Sequence, residues 1–290
     1  MTLTKASPCK VNFILNILGK RADGFHELET VMHPVNVCDE LSFARGSSGV
    51  QLTCSHPELP VDSRNLVFRA AGAFLHEARI SDGVCLHLEK KIPMAAGLGG
   101  GSGNAATTLL GLNEVFGNPL GAGQLQTLAA TLGSDVPFFL QSEPALAVGR
   151  GEQVQSLEPF ACLRGTAILL VHPGFGVSTP WAYKELARFP SALNGEQGRA
   201  KRLVATLREK GVAAAGKDFY NSLEAPALEK FPVLALYQEF FREHGAAVSL
   251  MSGSGSTTFA IFENQATAEA AIEPFKTKFG STGWMSVVPL

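Results

Sequence analysis

No apolar run in this chain is long enough to cross a membrane; the longest, such as AILLV at 167–171, are strand-sized. The opening MTLTKASPCK lacks the basic-then-apolar layout of a secretory signal, so a soluble, cytoplasmic protein is expected. Cysteine is scarce: five residues, at 9, 38, 54, 85 and 162, odd in number and without a C-x-x-C pair. That argues against a disulfide framework or structural zinc site and for reduced thiols. The seven histidines include no H-E-x-x-H and no paired spacing suited to catalytic zinc, so no protein-held transition metal is expected. An excess of one charge is also missing, with 24 Lys and Arg against 26 Asp and Glu and no polybasic run. Neither nucleic acid nor a membrane surface is an expected partner. Internal repeats, low-complexity tracts and an evident linker are absent too.

What is present is 290 residues with 46% apolar content, enough to bury a full core in one large domain or two moderate ones. The first third reads as strands near 10–18, 28–35, 40–44, 50–54 and 84–90, interrupted by a helix over 65–79. Strands arriving in succession favour an α+β fold with a mixed or antiparallel sheet over strict βαβ repetition. Apolar spacing predicts helices from about 102 to 116 and 121 to 132, packed on the sheet. Strands at 145–155 and 165–172 follow, then helices near 179–188, 196–209 and 225–244. The strand AAVSLM leads through SGSGST into TFAIF, a helix over 265–278 and a closing strand, which together read as a second α+β lobe. A division into 1–160 and 161–290 is the expected domain organisation.

One segment carries a chemical signal. The strand VCLHLEKKI ends at Pro93, the loop MAAGLGGG follows, and a helix begins near Ser102 or Gly103. Glycines let the backbone approach phosphate oxygens, and the unpaired N–H groups of a helix start supply positive potential. No G-x-x-x-x-G-K-[ST] occurs, and the glycines at 97, 99, 100, 101 and 103 do not satisfy G-x-G-x-x-G. This is a different phosphate loop, or a flexible turn whose glycines only permit tight packing; its place between strand and helix favours the first.

In SPCKVNFILN, alternation puts Lys10, Asn12, Ile14 and Asn16 on one strand face and Val11, Phe13, Leu15 and Ile17 on the other. Such a polar face is either solvated or aimed into a site. Asp135, in GSDVPFFL, precedes Pro137 and two phenylalanines, and is either a turn cap or a carboxylate held in an apolar setting by a cation. Spacing alone does not pair Lys10 with Asp135.

Four segments together resemble the GHMP kinases over most of the chain: SPCKVNFILNILGKRADGFHELET at 7–30, PMAAGLGGGSGNAA at 93–106, LGSDVPFF at 132–139 and SLMSGSGST at 249–257. The glycine loop belongs to the whole superfamily. The K-x-N pair followed by R-A-D-G-F-H points to the branch that phosphorylates 4-diphosphocytidyl-2-C-methyl-D-erythritol at its 2-hydroxyl with ATP, in the non-mevalonate isoprenoid pathway. The fold implied is two-lobed, with the active site in the cleft between lobes. By the same resemblance Asp135 is the general base and Lys10 orients the hydroxyl. Pro93, Met94, Ala95, Ala96, Gly97, Leu98, Gly99, Gly100, Gly101, Ser102 and Gly103 wrap the ATP phosphates, with Asn65 and Lys90 at the nucleotide end. The substrate side comprises Asn12, Phe25, His26 and Tyr183, the aromatics holding cytosine, together with a second glycine turn at Gly253, Ser254 and Gly255.

Two positions depart from the family pattern. Gly103 stands where a second serine is usual, so Mg²⁺ is expected to be held mainly by phosphates and water, with Ser102 helping. Phe25 stands where tyrosine is frequent, which keeps the stacking face. Alternatives within the superfamily are a mevalonate, homoserine or sugar kinase; outside it, a nucleotide-binding protein without catalysis. A monomer or a homodimer fits equally.

Overall fold

The computed structural model describes residues 2–281 and 283–290. In chain order the strands and α-helices are β1 (Leu3–Lys20), β2 (His26–Gly46), β3 (Val50–Cys54), α1 (Leu66–Glu77), β4 (Gly83–Glu89), α2 (Gly100–Val115), α3 (Ala122–Leu132), β5 (Ala145–Gly149) and β6 (Gln153–Ser156). The later part adds β7 (Ala167–His172), α4 (Thr179–Glu185), α5 (Pro190–Leu193), α6 (Arg199–Ala215), β8 (Tyr220–Asn221), α7 (Glu224–Lys230), α8 (Val233–Glu243), β9 (Val248–Met251), β10 (Thr258–Phe262), α9 (Gln265–Ala270), α10 (Ile272–Phe279) and β11 (Trp284–Pro289). The fold is α+β, as the order of elements in the sequence suggests. Among the described residues no helix is long and apolar enough to cross a membrane.

The chain groups into two compact units that interleave in sequence. The first takes the residues up to Cys9, Val37–Ile92 and Gly99–Ser142; the second takes Lys10–Asn36, Pro93–Leu98 and Glu143–Leu290. Both β1 and β2 run from one unit into the other, and residue 160 lies inside the second unit.

In the first unit β3 pairs in parallel with β4, and β4 pairs antiparallel with the later part of β2, Glu40 opposite Glu89. Helices α1, α2 and α3 pack on one another. Phe43, Phe74 and Phe138 are fully buried there, and a Cβ on Gly111 of α2 would lie 2.4 Å from the Phe43 ring, so the missing side chain lets the helix approach the strand.

In the second unit the early part of β2 pairs antiparallel with β5, β5 with β6, and β1 pairs in parallel with β8. A separate antiparallel sheet has the order β11-β7-β10-β9. Its inner face packs with α8 and α10 through Phe240, Phe241 and Phe275, while Phe13 of β1 meets Phe219 and Phe259 at ring-centroid distances of 5.1 and 6.2 Å.

Several elements differ from the spacing-based reading. The strands expected at 28–35 and 40–44 are one strand, since nothing between them forces a turn. The strand expected over 145–155 is a hairpin that turns at Arg150 to Glu152. The helix expected over 225–244 divides into α7 and α8 at Phe231 and Pro232, where the proline lacks the N–H needed to continue α7. α6 extends to Ala215 past a kink at Gly211, and the helix expected over 265–278 divides into α9 and α10.

Candidate active site

Strand β1 is buried on both faces from Cys9 to Ile17, so its polar face is not solvated. Lys10 is 3% exposed; its ammonium donates to Asn12 Oδ1 at 2.5 Å and to the Gly97 carbonyl at 3.3 Å, and its backbone N–H donates to the Leu98 carbonyl at 2.9 Å. Asn12 in turn donates to Thr30 Oγ1 at 2.9 Å, and Thr30 donates to the Ile14 carbonyl. A buried ammonium is tolerated because this polar ladder solvates it. The ladder fastens the cation to the glycine loop.

The loop itself alternates through left-handed conformations, at Ala95 (φ 51), Gly97 (φ 77) and Gly99 (φ 69). A side chain at Gly97 is barred twice over: by its positive φ and because a Cβ would lie 2.0 Å from the Ser252 carbonyl oxygen. Ser252 Oγ donates to the Gly97 carbonyl at 3.0 Å, and Thr257 N–H to the Ala96 carbonyl at 3.1 Å. The second glycine turn, with Gly253, Ser254 and Gly255, is thus sewn to Ala96 and Gly97 within one compact unit. Ser254 Oγ shares a hydrogen bond of 2.7 Å with Thr179 Oγ1 on α4, and Asn221 holds the turn by donating to the carbonyls of Met251 and Gly253.

In the first unit, α2 begins at Gly100, two or three residues earlier than its glycines suggest. Gly99 is its N-cap, no side chain caps it, and its first turn holds no acidic residue. Its leading N–H groups, with partly exposed Gly100 and Ser102 and exposed Gly101, therefore carry the positive end of the helix dipole without a side-chain cap, an arrangement able to donate to an anion. Asp135 is half-buried in the turn between α3 and Pro137.

Asn65 and Lys90, expected at the nucleotide end, both lie in the first unit and are held by protein neighbours there. Asn65 caps α1, accepting from Val67 N–H at 2.9 Å and donating to the Pro60 carbonyl. The Lys90 side chain is 6% exposed and its ammonium is turned inward onto the fully buried carboxylate of Asp39.

The aromatic group lies in the second unit. His26 and Tyr183 have ring centroids 5.0 Å apart, and partial burial, with Lys20 nearby, lowers the His26 pKa. Phe25 is 51% exposed, with the Arg150 guanidinium 4.6 Å from its ring centroid. The structure brings His26 and Tyr183 into contact, which leaves no room for a base between those two rings.

Asp39, Asn104, Thr30, Ser252, Thr257, Asn221, Thr179 and Arg150 escaped the sequence reading. Most are buried polar residues whose partners lie far away along the chain, so no local spacing marks them.

Residues 65–143 match the model of the GHMP kinases N terminal domain, and residues 203–281 that of GHMP kinases C terminal. A 4-diphosphocytidyl-2-C-methyl-D-erythritol kinase from Synechococcus sp. (strain JA-3-3Ab) is 39% identical over 97% of this chain and 94% of its own length. The chain belongs to this kinase family. A crystal structure of 4-(cytidine 5'-diphospho)-2C-methyl-D-erythritol kinase superposes with TM-score 0.81 at 34% identity, covering 99% of this chain and all of that one. Homoserine kinase from Cytophaga hutchinsonii shares the fold, with TM-score 0.75 at 20% identity over 99% of this chain and 93% of its own.

Proposed function

We propose that the chain transfers the γ-phosphoryl group of ATP to the 2-hydroxyl of 4-diphosphocytidyl-2-C-methyl-D-erythritol. The observation that carries the reading is the Lys10 ammonium fastened to the Gly97 carbonyl of the glycine loop. It puts a desolvated positive charge beside the segment that cradles phosphates, which a phosphoryl-transfer site needs and a packing turn does not. The Synechococcus relative and the crystallised kinase that superposes at 34% identity act, by their names, on this substrate.

In this reading the backbone N–H groups of the loop and of the first turn of α2 hold the nucleotide phosphates, and Lys10 orients the hydroxyl and stabilises its developing charge. Asp135 accepts the hydroxyl's proton. A carboxylate is a weak base, yet in a loose transition state the proton leaves late, so position outweighs basicity. The described residues hold no group of three His, Cys, Asp or Glu side chains able to grip a metal. Mg²⁺ would enter as a companion of the nucleotide, the Ser102 hydroxyl would help to hold it, and it would supply neutralisation of phosphate charge. Phe25, half-exposed and backed by Arg150, offers cytosine a stacking face, with Tyr183 and His26 beside it.

The test is ADP release from ATP and Mg²⁺ with a panel of 4-diphosphocytidyl-2-C-methyl-D-erythritol, mevalonate, homoserine and galactose. Turnover confined to the cytidyl substrate is expected. Asp135→Ala should bind ATP normally and lose at least ~10²-fold in turnover. Turnover of another alcohol would overturn the acceptor, and unchanged turnover in Asp135→Ala would remove that residue from the chemistry.

A further inference from the structure

Asp39 lies on β2, its side chain 0% exposed, and no role in the reading above falls to it. Oδ1 accepts from the backbone N–H groups of Lys91 at 2.7 Å and Ile92 at 2.8 Å. Oδ2 accepts from Asn104 Nδ2 at 2.9 Å and from the Lys90 ammonium. Asn104, 2% exposed in the second turn of α2, also donates to Ser7 Oγ at 2.9 Å. All of these residues belong to one compact unit.

The donors come from two places. Lys90, Lys91 and Ile92 are the residues immediately before Pro93, where the glycine loop begins; Asn104 is in the helix that begins where the loop ends. One carboxylate therefore holds both stretches that flank the loop in sequence. The Lys90 ammonium reaches the start of α2: a Cβ on Gly100 would lie 3.2 Å from its Nζ. That cation is already satisfied by Asp39, so its influence on a nucleotide runs through the shape of the loop.

A buried ion pair contributes little net stability over apolar residues of the same volume, because desolvation offsets the attraction. Its best-attested use is to fix one arrangement among several. An apolar cluster at Asp39 would fill the space equally well but would let the loop's two ends slide. Four donors converging on two oxygens specify both positions at once.

We propose that Asp39 is a positioning residue for nucleotide binding, bracing both ends of the glycine loop so that its N–H groups are aimed at phosphate before ATP arrives. The inference rests on the reading of that loop as the ATP site. Its consequence is a selective one: loosening the brace weakens ATP binding and leaves acceptor binding alone.

The test uses the full chain and three variants, each checked for cooperative melting. Asn104→Ala cuts the tie to α2 and leaves the ion pair. Asp39→Asn sets an amide donor against the Lys90 ammonium and the Asn104 amide. Asp39→Asn combined with Asn104→Asp reverses the polarity of that bond and returns one carboxylate to the cluster that holds the Lys90 ammonium. ATP affinity is read by titration, and KM for ATP and for the alcohol from turnover.

Asn104→Ala should weaken ATP binding about tenfold or more, with KM for the alcohol within about twofold of the parent. Asp39→Asn should be worse, and the double variant should recover most of the loss, a pattern that general destabilisation would not produce. Should Asp39→Asn fail to fold, the other two still decide. Folded Asn104→Ala with parental ATP affinity would overturn the brace, as would equal losses for ATP and alcohol. Because the brace is read on ATP binding, a parent protein that binds ATP but turns over no cytidyl substrate overturns the acceptor assignment alone.

Discussion

At Gly103 the missing side chain has a steric cause. A Cβ there would lie 2.6 Å from the Pro8 carbonyl oxygen and 3.4 Å from Ser7 Oγ, the first closer than real Cβ atoms approach. Helix α2 packs so tightly on the start of β1 that the serine usual in GHMP kinases has no room unless Pro8 shifts. Gly103→Ser should therefore cost about 1–3 kcal/mol, as overpacking of a dense interior does, read as a lower denaturant midpoint with an unchanged slope. A variant as stable as the parent would show that β1 yields. The glycine was legible in the sequence as a departure; its reason was not, because Pro8 and Gly103 are far apart along the chain.

At the scale of elements, the start of α6 depends on a strand. Gly198, its N-cap, has no side chain to offer, and Glu29 of β2 supplies the cap instead, accepting from the Gly198 N–H at 3.0 Å and the Ala200 N–H at 3.1 Å. The same carboxylate accepts from Asn16 Nδ2 at 2.9 Å, so it joins β1, β2 and α6. Glu29→Ala would leave these buried donors unpaired, at a cost of about 2–4 kcal/mol, measurable by equilibrium unfolding. Elements that follow from local patterns, such as α1 behind its Asn65 cap and the β10 strand, were legible in advance. The two-residue β8 was not, since its only cause is its pairing of Ile14 with Tyr220 and Leu15 with Asn221. The split between α7 and α8 was signalled by Pro232, but continuing apolar periodicity across it masked the break.

For the molecule as a whole, two buried groups set opposing pH dependences. Burial raises Glu224 to about 7, although its Oε1 accepts from Met251 N–H at 2.7 Å and Gln238 Nε2 at 2.5 Å. The folded state then binds more protons than the unfolded state between the ordinary glutamate value and about 7, so this group's contribution falls as pH rises through that window. His33, stacked on Phe13 at 4.9 Å, is lowered by burial to about 4, and its contribution falls as pH drops from the ordinary histidine value toward that point. Glu224→Gln keeps an oxygen for both donors and removes the first effect. Its melting temperature relative to the parent should rise between about pH 5 and pH 8. A constant difference would show that Glu224 does not titrate there.

The sequence by itself determined the features that depend on neighbours along the chain: a glycine loop between strand and helix, and a lysine and asparagine alternating on a strand. These follow from backbone geometry and side-chain period, which act over a few residues. Tertiary structure alone decided which buried polar groups meet. Asp39 finds its four donors 51 to 65 positions away, and Glu29 caps a helix 169 to 171 positions on. Such pairings arise because a desolvated charge must be satisfied wherever the packed backbone brings a donor, and no short-range pattern records that place.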